Sequence, residues 1–258
     1  MPSKIKVMSI VNQKGGVGKT TTAINLGTAL AAIDKNILLI DLDPQGNLST
    51  GIGVTEKERK ISVYDLITKE TSIDKTILDT KIPNLKIIPS HLNLSGIEFE
   101  LASDDERANK LSSKINNLKR YFDFVLIDCP PSLGILTVNS LVASNSVLVP
   151  LQCEFYALEG LAQLLRTVEK VKENLNPNLF LEGVILTMFD SRNRLSEDVV
   201  NDAREHLGEK VFKTIIPRNV RLSEAPSHAL PAIIYDQKCL GSVAYIDLAK
   251  ELINRLEI

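Results

Sequence analysis

The feature that most constrains this chain is the run Lys14-Gly15-Gly16-Val17-Gly18-Lys19-Thr20-Thr21. Before it, Lys4–Val11 alternates and then turns apolar. After it, Thr20–Ala32 carries Ile24, Leu26 and Leu30, with Ile33 beyond, at helical spacing. The order is strand, glycine loop, helix. Glycines let backbone N–H groups turn inward around phosphate oxygens, and the helix start presents its positive end to the same anion. Lys19 can reach the β/γ-phosphates and the Thr20 hydroxyl can ligate Mg2+. The standard phosphate-loop pattern places a glycine at position 13, but this chain has Gln13 there and an additional lysine, Lys14, before the double glycine. In a face-to-face dimer, a lysine at that mouth can reach the partner's nucleotide and stabilise charge on the transferred phosphoryl.

Further short apolar runs follow: Asn36–Ile40, Leu85–Pro89, Phe124–Ile127, Ser146–Leu151, Gly183–Met188 and Val211–Ile216. Runs apolar on both faces, separated by helical stretches, predict a mainly parallel, twisted sheet flanked by helices on both sides. Helices are expected over Asp104–Arg120, Leu133–Ser144, Glu159–Leu175, Glu197–Leu207 and Ser242–Leu256. There is no repeat of 20–50 residues and no linker-like stretch, so residues 1–258 are expected to form one α/β P-loop NTPase domain.

Two aspartate motifs fall at predicted strand ends, where open α/β sheets gather ligands. Asp41 and Asp43, in Asp41-Leu42-Asp43-Pro44-Gln45-Gly46-Asn47, lie two apart and point the same way in an extended segment. One can orient an attacking water while the other holds the loop or the lysines. Phe124–Ile127 ends in Asp128, the Walker B pattern, whose acid can hold Mg2+ through water. The three cysteines, Cys129, Cys153 and Cys239, form no CxxC pair, and His91, His206 and His228 show no ligand spacing. A net charge of −2 does not by itself point to nucleic acid, although a local basic face can form on such a chain. No apolar run reaches the roughly 20 residues of a membrane helix.

These motifs together resemble those of the ParA/Soj family of deviant Walker A ATPases, within the MinD/ParA superfamily. Lys14–Thr22, Asp41–Asn47 and Asp128-Cys129-Pro130-Pro131-Ser132-Leu133-Gly134 match its three ATPase motifs, and Pro217–Ser227 looks like its late signature. The similarity spans about residues 4–254. It implies an ATP- and Mg2+-dependent enzyme that hydrolyses ATP, forms a homodimer on ATP binding and binds double-stranded DNA without sequence specificity. A ParB-like protein is the implied stimulating partner. By matched position Lys14 is the signature lysine, Asp43 the residue that activates water and Asp128 the Walker B acid. The adenine is expected near Pro217 and Asn219, and DNA at Arg192, Arg221, Arg218 and Arg194, with Arg192 and Arg221 favoured. The chain begins about a dozen residues before the loop, so it looks like the short chromosomal type without an N-terminal helix-turn-helix domain. The expected setting is the bacterial cytoplasm at the nucleoid, without stable membrane association. Three rivals remain: a MinD-like membrane ATPase, an iron–sulfur scaffold, and an ATPase that positions another cargo.

Overall fold

The computed structural model describes residues 5–119 and 121–256. Lys4 and Arg120, at the ends of two expected elements, lie outside that range. Seven strands form one sheet: β1 (Lys6–Ile10), β2 (Ile37–Asp41), β3 (Leu78–Asp79), β4 (Leu85–Ile88), β5 (Phe124–Asp128), β6 (Ser146–Gln152) and β7 (Phe180–Thr187), in the order β3-β4-β2-β5-β1-β6-β7. All neighbours are parallel except β3, which pairs antiparallel to β4 at the edge. The single α/β domain with a mostly parallel sheet is therefore as expected.

The strands are buried on both faces because their residues alternate between two cores. Leu38 and Ile40 of β2, with Val125 and Ile127 of β5, face one core. The helices Ile135–Ala143, Ala157–Asn174 and Arg194–Leu207 pack there through Leu136, Leu141, Leu161, Leu164 and Val199. Ile37 and Leu39, with Phe124 and Leu126, face the other. That side is covered by the helices Lys19–Ala31 and Leu240–Arg255, through Leu26, Leu30, Tyr245 and Leu248. Each such side chain contributes about 1.5–3 kcal/mol by leaving water.

Three expectations need correction. Val211–Ile216 forms no strand: it runs beside β7 through an isolated bridge from Val184 to Val211 and single bonds such as Phe212 N to Val184 O at 2.9 Å. The expected helix from Asp104 shrinks to Lys110–Asn116, preceded by turns. Ile33 does not join the helix core but is 44% exposed beyond the Ala32 cap.

What matters for the site is register. Ile10, Asp41 and Asp128 end three adjacent strands at one level, because Asp128 pairs with both Ile10 and Asp41. The carboxyl end of the sheet thus places two aspartates beside the exit of β1 into the glycine loop.

Candidate functional site

The glycine loop turns back on itself through left-handed residues, Gly16 (φ 77°) and Gly18 (φ 92°), a conformation that opposes any side chain. Gly18 then caps Lys19–Ala31 without any side-chain hydrogen bond, and the first turn holds no acid. Elsewhere Ser62, Asn193 and Asn219 cap their helices with side-chain oxygens. The uncapped start leaves the positive helix end and its orphan N–H groups open to an anion. Val17 is buried and its carbonyl accepts a bond from Thr187 Oγ1 at 2.9 Å, which ties the loop to the end of β7.

Lys19 is 7% exposed, and its ammonium donates to the Lys14 carbonyl at 3.0 Å. Burial holds its pKa below the ordinary lysine value, against the raising influence of Asp128, Cys129 and Asp43. A buried ammonium with so few partners gains when a phosphate enters the loop. Thr20 Oγ1 donates to Asp128 Oδ2 at 2.7 Å. Asp128 Oδ1 is buried with no hydrogen-bond partner, as is Asp41 Oδ1. Burial, then the neighbouring Asp41 charge, pushes Asp128 well above the carboxylate range, and burial pushes Asp41 up to about 6. The unanswered Asp128 oxygen, on a carboxylate bonded to the Thr20 hydroxyl, fits a hydrated divalent cation. Among the described residues no group of three or more His, Cys, Asp or Glu side chains could hold a metal by itself.

The two aspartates left open above separate clearly. Asp41 is fully buried, and its Oδ2 accepts from Ser49 N at 2.8 Å and Ser49 Oγ at 2.6 Å. Its second oxygen aside, it is a structural anchor. Asp43 lies one step out, 9% exposed, with Oδ1 accepting from Gln45 N at 3.0 Å in an Asx turn. Ser90 Oγ holds its carbonyl at 2.5 Å.

Lys14 is not solvated as a bare cation. Its ammonium pairs with Glu154, in the loop after β6, while its backbone N–H donates to Asn12 Oδ1 at 3.0 Å. Gly15 and Gly16 are exposed at the loop crest, and Thr21 is half-buried at the first helical turn. Nothing in the sequence signalled Glu154, Ser49 or Ser90; Asn12, immediately before the loop, was the one readable clue.

Pro217 and Asn219 sit beyond β7: Pro217 bridges to Phe189, and Arg218 N donates to Phe189 O at 2.8 Å. Asn219 Oδ1 caps the helix Val220–Glu224 through Arg221 N at 2.9 Å. The four arginines divide. Arg192 and Arg218 line a cleft of about 420 Å3 together with Glu154 and Met188, whose φ of 53° is left-handed. Arg194 and Arg221 lie outside it. Arg192 is bound to Asp190 by two bonds of 2.9 and 2.7 Å, and Arg221 pairs with Glu224 at 2.8 Å and Asp236 at 3.5 Å. A larger open cavity of about 1090 Å3 lies between Arg204, Lys210 and the helix Leu240–Arg255 and contains no motif residue. No helix of the described residues is long and apolar enough to cross a membrane.

A family model described as an AAA domain (AAA_31) matches residues 5–181. Over 253 residues the chain is 53% identical to the chromosome partitioning protein ParA of Caulobacter vibrioides, covering 97% of this chain and 95% of that one. It is 49% identical over 247 residues to the sporulation initiation inhibitor protein Soj of Bacillus subtilis, covering 96% and 98%. A solved structure named cobyrinic acid a,c-diamide synthase from Mycobacterium smegmatis, with bound ATP analogue and magnesium, superposes with a TM-score of 0.88. It is 35% identical, covering 98% of this chain and 96% of that one.

Proposed function

Because this chain belongs to the ParA/Soj family of partitioning P-loop ATPases, we propose that it binds Mg·ATP, dimerises on it, and binds duplex DNA without sequence preference. It then hydrolyses ATP under the influence of a ParB-like partner to move chromosomal or plasmid DNA, at the nucleoid of a bacterial cytoplasm. The observation that carries this reading is the buried Lys19 and uncapped helix start facing Thr20, Asp41 and Asp128 at one end of the sheet. The name of the solved structure suggests another activity, but that likeness is weaker in identity than those to the two partitioning proteins.

In this reading the loop N–H groups of Gly15–Thr21 and the Lys19 ammonium bind the phosphates. Thr20 would ligate Mg2+ directly and Asp128 through water, and the ion when bound neutralises charge on the β- and γ-oxygens. Asp43 accepts the proton of the attacking water and aligns it. The adenine lies by Pro217 and Asn219, beyond the strand ends. Lys14 leaves Glu154 and reaches the nucleotide of a second copy. Phe155 and Tyr156, each 69% exposed and packed edge to face at 4.8 Å, directly follow Glu154 and suit the dimer face. Two copies then align their arginines into one basic stripe, so that DNA is held by the dimer and released by the monomer.

The deciding experiment uses Asp43→Ala. With ATP it should elute as a stable dimer and retain unrelated duplexes of equal length about equally, while turnover falls on the order of 100-fold or more. A variant that stays monomeric with ATP, or turns over like wild type, removes Asp43 from this role. Tight DNA binding without nucleotide contradicts the switch.

A further inference from the structure

Asp43 sits in a turn held from two sides. On the first, Asp41 binds Ser49, and Ser49 Oγ accepts from Ser90 N at 3.1 Å while Ser90 Oγ holds the Asp43 carbonyl. On the second stands Arg59, outside every motif and only 9% exposed. Its Nη2 donates to Thr50 Oγ1 at 2.7 Å and to the Val54 carbonyl at 2.8 Å, and its Nε donates to the same carbonyl at 3.2 Å. Thr50 Oγ1 in turn donates to the Gly46 carbonyl at 3.1 Å, and Gly46 N donates to the Asp43 carbonyl at 2.9 Å. A continuous chain of bonds therefore runs from Arg59 to the backbone of Asp43.

The contact is also steric. Gly46 has φ +64°, and a Cβ built there would lie 2.4 Å from Arg59 Nη1. The guanidinium rests directly on the glycine, so the turn and the arginine fix one another. Among the described residues Arg59 makes no ion pair, and its bonds go to neutral oxygens, with Asp41 felt only as a more distant charge. A buried cation answered this way is a poor source of stability compared with an apolar side chain of equal size. What it provides is a fork of directed donors, which a leucine or methionine lacks.

We propose that Arg59 is a positioning residue for ATP hydrolysis: through Thr50 and Gly46 it sets the turn that aims Asp43 at the attacking water. This rests on the role given above to Asp43. The test compares wild type with Arg59→Ala, Arg59→Lys and Thr50→Val, the last at an exposed position whose change leaves the core intact. Affinity for a non-hydrolysable ATP analogue with Mg2+ is measured by calorimetry, and hydrolysis by single turnover. Arg59→Ala should lose about tenfold or more in rate, with analogue affinity kept within about threefold, as expected for misplacement rather than lost binding. Thr50→Val should lose rate in the same direction, and Arg59→Lys should recover part of it. Should Arg59→Ala fail to fold, as judged by circular dichroism, Thr50→Val decides. A Thr50→Val rate equal to wild type, or equal losses of rate and affinity in Arg59→Ala, overturns the proposal. If instead wild type shows no hydrolysis, or Asp43→Ala hydrolyses normally, the parent reading falls and this inference with it.

Discussion

The phosphate loop and the late arginine loops use positive charge in opposite ways. Lys19 is buried, with its pKa depressed by burial, and its ammonium donates to a neutral carbonyl. Arg192 has 86% of its side chain exposed and is already held by Asp190 through two bonds. The first arrangement suits one anion in one place, because desolvation is suffered in advance and is relieved only by a ligand of matching charge and shape. The second is a field: screened, exchangeable and indifferent to which phosphate answers it. Under the proposed function, the first would grip a nucleotide firmly and the second DNA loosely. A switch between bound and free DNA needs that asymmetry.

The comparison breaks most visibly at Lys14, which belongs to neither side. It lies in the loop, yet it is half exposed and ion-paired to Glu154. Lys14→Ala should reduce hydrolysis by about 1000-fold, the range of a charge supplied in trans, while ATP affinity changes little. Stopped-flow phosphate release and calorimetry separate the two. If affinity falls as steeply as rate, Lys14 is simply a second phosphate ligand of its own subunit. Lys19→Ala should act the other way. ATP affinity should drop by about 100-fold, since a charge-assisted hydrogen bond to a phosphate is lost from a buried site. Calorimetry showing unchanged affinity would mean that burial of Lys19 has nothing to do with nucleotide.

How much of this was readable beforehand follows from the same physics. The parallel strands were legible because burial on both faces writes itself as short apolar runs, and six of the seven strands were found that way. β3 was not, since two residues, one of them the exposed Asp79, leave no pattern. Val211–Ile216 has the right composition, but beyond β7 it gains only isolated bridging, and hydrogen bonding rather than hydropathy decides what is a strand. The loop, Asp43 and Asp128 stand out as candidates in the sequence because glycine, lysine and aspartate spacing is local. The difference between Asp41 and Asp43 was not: it depends on Ser49 and Ser90, the latter 47 residues from Asp43. Glu154 and Arg59 escaped for the same reason, because contacts between distant segments carry no sequence spacing. The pairing of the arginines with carboxylates was not legible either, because it too depends on the fold. Arg192 and Arg221 were favoured for lying in polar loops, yet they are the two with carboxylate partners, whereas no ion pair is formed by Arg194 or Arg218 among the described residues.

That last difference yields the smallest effect and the sharpest test of the field picture. Arg192→Ala should weaken ATP-dependent binding to every duplex about equally and reduce the salt slope by at most about 0.9, the share of one phosphate contact. Asp190→Asn should do the reverse. Asp190 holds the guanidinium now, so in the proposed function a DNA phosphate would compete with this carboxylate for one cation. Removing the carboxylate's charge frees Arg192 and also deletes a negative charge from the cleft that Arg218 shares. Because exposed ion pairs are weak, the gain should be only about threefold in affinity and should shrink as salt rises. Fluorescence anisotropy on two unrelated duplexes, at several salt concentrations and with the ATP dimer verified by sizing, reads it directly. If Asp190→Asn weakens binding while the dimer persists, the carboxylate is not a competitor but a brace that holds Arg192 toward DNA. The late loops would then be built to a fixed geometry as the phosphate loop is, and the contrast between grip and field would fail at the residue where it is drawn most sharply.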